Sequence, residues 1–429
     1  MSAGWRSTTV QEFVDRGEAE LKTGPFGTQL HASDYVEHGT PVINVRNIGF
    51  GTIVPEKLEY ISEATVSRLS SHLLQADDIV FGRKGAVERH AFLKSGHDRW
   101  FQGSDCLRLR ASGPNLVPRF LSYCFLTEDH KQWMMNQCSH GATMASLNQA
   151  IICRIPFRLP PPTTQRHIAD VLSAYDDLIE NNTRRIKILE EMAQMIYREW
   201  FVNFRFPGHE KARMVESELG PIPKGWTAKR LGDVAGVNKH SIKSSLPPEE
   251  IHYIDIASVS TAKIDRKEPM RFADAPGRAR RIVRPGDTIW STVRPNRRSY
   301  ALILNPEPNL IVSTGFAVLT AETVSYSYLY FATTTDEFAD YLTNHATGSA
   351  YPAVTGKDFE NAPLLVPNES IGNRFHELTG PMLDLSWNLH QRNINLRKTR
   401  DFLLPKLISG EVPVEAADEA AAELMGQTA

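Results

Sequence analysis

The chain has 429 residues, of which 41% are hydrophobic and 23% charged, and no run approaches the ~18 consecutive apolar residues of a membrane span, so neither wholesale disorder nor an ordinary membrane protein fits. The formal net charge of −2 excludes a globally basic binder, but it is an average: residues 411–429 hold five acids and no Lys or Arg, and without them the charge moves from −2 to +3. Residues 1–10 lack an apolar signal core, which points to the cytoplasm. Cys106, Cys124, Cys138 and Cys153 form no CxxC pair and the His residues no HExxH, so core thiols are expected and no metal site.

In chain order, the first half opens with short β-rich runs, PVINVRNI (41–48) and DIVFGR (78–83), punctuated by Gly and Pro. A helical stretch over 121–137 follows, then the Pro-bounded strand RIPFRLPPP. Next comes a long helix, because residues 163–206 contain neither Gly nor Pro. Its seam of Leu172, Tyr175, Ile179, Asn182, Ile186, Leu189, Ala193, Ile196 and Trp200 steps by three and four residues, as in a coiled coil. Asn182 is a polar break of the kind that sets register. Phe206-Pro207-Gly208 stops the helix.

The second half repeats this order. Strands are expected in HYIDIASV (252–259) and NLIVSTGFAVL (309–319), a helix over 326–344, a Pro-bounded strand in NAPLLVP, and a second long helix. That helix runs over 382–404 in its core, with Leu385, Leu389, Leu396, Leu403 and Leu407 as its stripe, interrupted by Gly380-Pro381 on one side and Pro405 on the other. An offset of 207 carries Pro156 onto Pro363, Pro160 onto Pro367, Asp177 onto Asp384, Arg185 onto Arg392 and Leu189 onto Leu396. The fold class is therefore α+β: two mixed α/β domains separated by two long antiparallel coiled-coil helices, with pseudo-two-fold internal repetition. The expected division is domain 1 over 1–162, helix 1 over 163–206, a linker over 207–220, domain 2 over 221–370, helix 2 over 371–410 and an acidic flexible tail over 411–429. Packing between the long helices is assigned to Ile179, Ile186, Leu189, Ile196, Leu385, Leu389, Leu396 and Leu403.

No catalytic motif is present: VTGKD (354–358) is not a phosphate loop, and there is no GxSxG elbow or NPPY-like methyltransferase motif. What remains is recognition chemistry. Residues 278–298 hold seven Arg against Asp287 as the single acid, and Arg forks suit phosphate oxygens or the guanine edge. Candidate DNA-binding residues there are Arg280, Arg281, Arg294, Asn296, Arg297 and Arg298. The smaller counterpart in the first half is Arg83, Lys84 and Arg89, with Arg46 and Asn47 after an earlier strand. Two matching loops, HGATMASLNQ (140–149) and ATGSAYPAVT (346–355), add Gly141, Thr143, Asn148, Ser349, Tyr351 and, just beyond, Lys357. The aromatic run Tyr197, Trp200, Phe201, Phe204 is an apolar helix end that packs on a domain or a partner.

The motifs GPFGTQL (24–30), PVINVRNI, DDIVFGRKGAV and HGATMASLN resemble the specificity subunit of Type I restriction–modification systems. So does the long run from IPFRLPPP to MIYREWF, with the 207-residue repeat; together the likeness covers residues 11–412. The resemblance implies two target recognition domains, each reading half of a split double-stranded DNA sequence, and two conserved spacer helices that act as a ruler. It implies partners: two modification (methyltransferase) subunits and restriction subunits that carry motor and nuclease, with no membrane partner. It places no cofactor in this chain, S-adenosylmethionine, ATP and Mg residing on the partners, and makes the chain itself non-catalytic. On this resemblance Tyr197, Trp200, Phe201 and Phe204 become a docking site for a modification subunit. The alternatives are a coiled-coil scaffold that joins two protein-interaction domains without touching DNA, and a tandem-repeat enzyme of unrecognised chemistry.

Overall fold

A computed structural model describes residues 5–138, 145–242 and 247–414. It has two compact units, one formed by Met1–Glu180 with Ile394–Ala429 and the other by Asn181–Asn393. Each long helix thus gives one stretch to each unit.

In unit 1 a four-stranded antiparallel sheet has the spatial order Ala19–Thr23, Cys106–Ala111, Ile79–Gly82, His90–Phe92. Ile79–Gly82 is buried along its whole length, as expected of a strand covered on both faces. A second small sheet contains Thr40–Ile43 paired in parallel with Phe101–Gln102. The N-terminal strand Arg6–Thr9 pairs antiparallel with Pro156–Leu159, the Pro-bounded strand that leads into the first long helix. Phe13, Phe81, Phe120, Phe125, Leu172 and Ile179 join one apolar cluster with Leu396, Leu404 and Leu407 of the second long helix. Val414 is buried in that cluster too, so the expected start of the tail at 411 is corrected; residues 415–429 lie outside those described.

Unit 2 builds the same sheet from Ala235–Val237, Phe316–Ala321, Asp287–Ser291 and Tyr300–Ile303, in that spatial order. Its second sheet pairs Glu250–Ile254 in parallel with Leu310–Ser313. Thr227–Arg230 pairs antiparallel with Pro363–Val366, at the offset of 207 from Pro156–Leu159. The two sheets differ at both edges: an extra strand, Tyr35–Val36, flanks Glu59–Ile61 at one edge in unit 1, whereas in unit 2 the extra strand Ala279–Ile282 flanks Leu310–Ser313 at the opposite edge.

The single helices expected at 121–137 and 326–344 are each two helices, Pro118–Cys124 with Glu128–Cys138, and Tyr326–Ala332 with Asp336–His345. In unit 2 three threonines make the break. Thr333 and Thr334 hydroxyls bond back to the Leu329 and Tyr330 carbonyls, and Thr335 caps the next helix by accepting from the Phe338 N–H at 3.1 Å.

The first long helix spans Pro162–Tyr197 and then widens into a π-turn over Arg198–Val202, so it ends short of residue 206. The wider turn directs Trp200 and Phe201 into the unit 2 core, and Phe204 adopts a left-handed φ of 56° beyond it. The second long helix runs unbroken over Glu369–Ser409, through Gly380-Pro381 and Pro405, contrary to the expected interruptions. Pro381 forfeits one backbone bond, but Leu383 at 7% exposure and Phe375 at 0% anchor the turns on either side. Of the expected packing residues, Ile179, Leu389 and Leu396 are buried, and Ile186, Leu189, Ile196 and Leu403 half-buried. Leu385 is a correction: it is exposed, because Leu389 and Ser386 occupy the buried face in its place.

The helix segments are antiparallel within each unit. In unit 2, Asn182 Nδ2 donates to Asn393 Oδ1 at 3.0 Å, and Ser386, seven residues back, donates to Glu190, eight residues on, at 3.0 Å. Asn393 Nδ2 donates to Thr183 at 3.1 Å. In unit 1, Arg400 donates to Asp176 at 2.6 Å. A buried Asn pair satisfied only in one alignment penalises any slip of the seam. Cys106, Cys124 and Cys138 are buried free thiols and Cys153 is half-buried.

Candidate nucleic-acid interface

Unit 2 builds its basic surface from a fully buried strand. Asp287–Ser291 ends at Ser291, whose N–H donates to the Ser299 carbonyl at 2.8 Å and closes the following turn. Asp287 anchors the other end: it accepts from the Arg284 N–H and the Thr320 hydroxyl, each at 2.7 Å, and burial raises its pKa. After the strand, Val293 forms an antiparallel bridge with Ala353, and the Arg294 N–H donates to the Pro352 carbonyl at 2.7 Å. The strand end and the 346–355 loop are thus one structure.

Arg294 and Arg298 flank the short turn Pro295–Arg297, and both are left-handed, with φ of 51° and 54°. Such a backbone costs an L-residue about 1–2 kcal/mol, so surrounding contacts must hold it. The Arg294 guanidinium lies 4.6 Å from the Tyr351 ring centroid and donates to the Ala350 carbonyl at 3.3 Å. Arg298 pairs with Asp336 and donates to the Thr334 carbonyl. Asn296 and Arg297 at the tip are exposed, and Tyr351 is 68% exposed. Ser349 and Lys357 are exposed nearby in sequence, Lys357 within the helix Gly356–Asn361, which Thr355 and Asp358 cap.

Arg280 and Arg281 are half-buried on the edge strand, not in this turn. Arg280 covers the Phe272 ring at 5.1 Å, and Arg281 donates to the Asn238 carbonyl while burial lowers its pKa.

Unit 1 repeats the joint with different side chains. Leu147 N–H donates to the Arg83 carbonyl, Lys84 bridges Ser146, and the Gly85 N–H donates to the Ala145 carbonyl. Gly85 has φ of 79° at the position that Arg294 fills in unit 2. Lys84 is exposed and lies 3.7 Å from Asp105. Arg89 lies over the exposed Phe50 ring at 5.3 Å, and Lys131 over the same ring at 5.2 Å. Phe50 and Lys131 were not among the sequence candidates; the signal was an aromatic between Gly49 and Gly51, a turn that sets a large side chain outward. Asn148 caps the helix Gln149–Cys153 by accepting from the Ile151 N–H at 2.9 Å. Gly141 and Thr143 lie outside the described residues.

Two groups of candidates are corrected. Asn47 is fully buried: its Nδ2 donates to the Val54 and Glu56 carbonyls and its Oδ1 accepts from the Asn44 N–H, so it holds a turn and has nothing left for a ligand. Arg46 beside it is exposed but paired with Glu59 at 2.6 Å. The aromatic run is consumed by the chain's own core. Trp200 and Phe201 are 8% and 5% exposed, Tyr197 stacks on Phe331 and meets Phe375 edge-on, and Phe204 meets Trp226 edge-on, so the run is engaged by the chain's own core. Among the described residues no His, Cys, Asp and Glu cluster could hold a metal ion.

Fold and site together define a tandem-repeat binding protein: two like units in which a buried strand ends in a basic turn clamped to a neighbouring loop. The family model for the Type I restriction modification DNA specificity domain matches residues 31–191. The Type I restriction enzyme MjaIX specificity subunit of Methanocaldococcus jannaschii is 26% identical over 312 residues, 70% of each chain. The HindI specificity subunit of Haemophilus influenzae is 20% identical over 438 residues, 86% of this chain and 94% of that one. The crystal structure of a Type I restriction–modification S subunit from M. genitalium shares the fold with a TM-score of 0.61 at 15% identity, covering 94% of this chain and 96% of that one. Over most of its length the chain is similar to specificity subunits of Type I restriction–modification systems, and residues 31–191 carry that family's DNA specificity domain.

Proposed function

We propose that this chain reads a split sequence in double-stranded DNA, one half through each unit, and brings partner subunits to it. The observation that carries the reading is the same strand–turn–loop joint built twice, each copy presenting cations: Arg83, Lys84 and Arg89 in unit 1, and Arg294, Arg297 and Arg298 in unit 2. Arg and Lys at an exposed turn supply phosphate contacts, and a rigid turn end supplies side chains that enter a groove. Ser349, Tyr351 and Lys357 extend the surface of unit 2, and Asn148 that of unit 1.

In this reading the chain performs no chemistry. Two methyltransferase subunits contribute S-adenosylmethionine, and restriction subunits contribute ATP, Mg and the nuclease, in the cytoplasm. No helix among the described residues is long and apolar enough to cross a membrane. Because Trp200 and Phe201 are buried, and Tyr197 and Phe204 are half-buried against the same core, partner docking falls to other surfaces.

The test is to express the chain with a methyltransferase subunit of its system and map methylated adenines across the host genome. A motif of two short defined halves around an undefined gap is expected. Methylation with no sequence preference, or on a single continuous motif, overturns the reading.

A further inference from the structure

Within the turn of unit 2 the arginines divide into two kinds. Arg294 and Arg298 are occupied, the first by Tyr351 and the Ala350 carbonyl, the second by Asp336 and the Thr334 carbonyl. Pro295 between them is buried, and the backbone is closed by Arg297 N–H to the Arg294 carbonyl and Arg298 N–H to the Pro295 carbonyl, both at 2.9 Å. Asn296 and Arg297 form the exposed tip, and no side-chain hydrogen bond or ion pair engages either among the described residues. A strained, doubly anchored turn therefore holds two uncommitted planar side chains outward. In unit 1 Gly85 is followed by Ala86, Val87 and Glu88, so the loop there carries no counterpart of the Asn296–Arg297 pair.

We infer that Arg294 and Arg298 position the turn while Asn296 and Arg297 determine sequence, Arg297 selecting a guanine and Asn296 an adenine in the half-site that unit 2 reads. The inference rests on the DNA-reading function proposed above and sorts its residues into those that hold and those that discriminate. The chemistry favours this sorting. A phosphate offers acceptors alone, so contacting one would use only half of the donor–acceptor pattern of the Asn296 amide. An amide that both donates and accepts matches adenine N6 and N7, and the guanidinium fork matches guanine O6 and N7. A rigid mount fits base reading, since a bidentate pair is sensitive to angle as well as distance.

The experiment compares wild type, Arg297→Lys, Arg297→Ala and Asn296→Ala, each co-expressed with the methyltransferase subunit, by genome-wide mapping of methylated adenine. Both residues are exposed, and an unchanged melting temperature verifies that each variant is folded. Arg297→Lys keeps the charge and loses the fork, so preference for one G·C pair in a single half-site should fall about 10-fold or more. Asn296→Ala should relax one A·T position of that same half. The other half-site and the gap stay as in wild type. An unchanged motif in the Arg297 variants, or a uniform loss of methylation with the motif intact, overturns the inference and marks Arg297 as a phosphate contact. If wild type itself yields no split motif, the proposed function fails as well, before any variant is compared.

Discussion

In unit 1, Asp176 of the first long helix accepts from Arg400 and from Tyr123, each at 2.6 Å, with Arg119 at 3.4 Å. At the corresponding positions of unit 2 stand Leu383 for Asp176 and Ala193 for Arg400, offset by 207 residues, and Phe331 for Tyr123, offset by 208 as the matching helix hydrogen bonds show. Leu383 and Ala193 are 7% and 0% exposed in one apolar cluster. The same helix crossing is ionic in one unit and apolar in the other. A repeat thus conserves the place where two helices meet without conserving what joins them, provided each version is complete: a carboxylate with its cations, or a pair of alkyl groups with neither.

Breaking that completeness gives the largest effect. Leu383→Asp puts a carboxylate in the apolar crossing with no cation where Arg400 stands in unit 1, and unit 2 should lose about 3–5 kcal/mol. Hydrogen exchange should show it confined to the 181–393 peptides. Asp176→Leu leaves Arg119 and Arg400 without their shared acceptor; since both are partly exposed, a smaller loss of about 2–3 kcal/mol is expected in unit 1. Equal exchange rates in the two units of either variant would break the comparison.

Acid should separate the units next. Unit 1 buries His90 and His130, and burial lowers both pKa values to about 3. Their counterparts in unit 2 are Tyr300 and Phe338. The unfolded chain takes up protons near pH 6.5 and the folded one does not, so this stability is full above pH 6.5 and falls between 6.5 and about 3. The slope is about 1.4 kcal/mol per pH unit for each histidine. Unit 1 should therefore melt before unit 2 at pH 5, and His130→Phe should halve the slope in a pH series of melting curves.

The smallest effect is the sharpest test of the paired joints. Gly85→Ala meets no atom within 4 Å, so its cost is the left-handed backbone alone, about 1 kcal/mol in unit 1. Arg294→Gly relieves the same strain in unit 2 but gives up the Tyr351 and Ala350 contacts, so its net change in stability should be smaller than that of Gly85→Ala while DNA binding weakens. A loss in calorimetry as large as that of Gly85→Ala would remove the equivalence of the two positions.

What was legible in the sequence followed from periodicity and covalent constraint. Pro156 and Pro363 mark equivalent strands, and the seam from Leu172 to Trp200 fixes a helix face, because both signals are local. Asn182 stood out as a polar break, but its partner Asn393, 211 residues away, did not. The misread features depend on tertiary partners. Pro381 stays helical because neighbouring turns are anchored, Asn47 disappears into its own turn, and the aromatic run is claimed by Phe331, Phe375 and Trp226. Phe50 with Arg89 and Lys131 gathers three segments that no spacing rule connects. The interface residues were legible as a basic segment, but the split between held and free arginines needed Tyr351 and Asp336 in place.

The division of the long helices has a consequence for biosynthesis. Unit 2 is contiguous, from Asn181 to Asn393, whereas unit 1 is closed only when Leu396, Leu404, Leu407 and Val414 cover Leu172 and Ile179. On the ribosome the unit encoded first is finished last. Its apolar helix face emerges early and waits through the whole translation of unit 2, the interval in which a chaperone or a nascent-chain partner has most to protect.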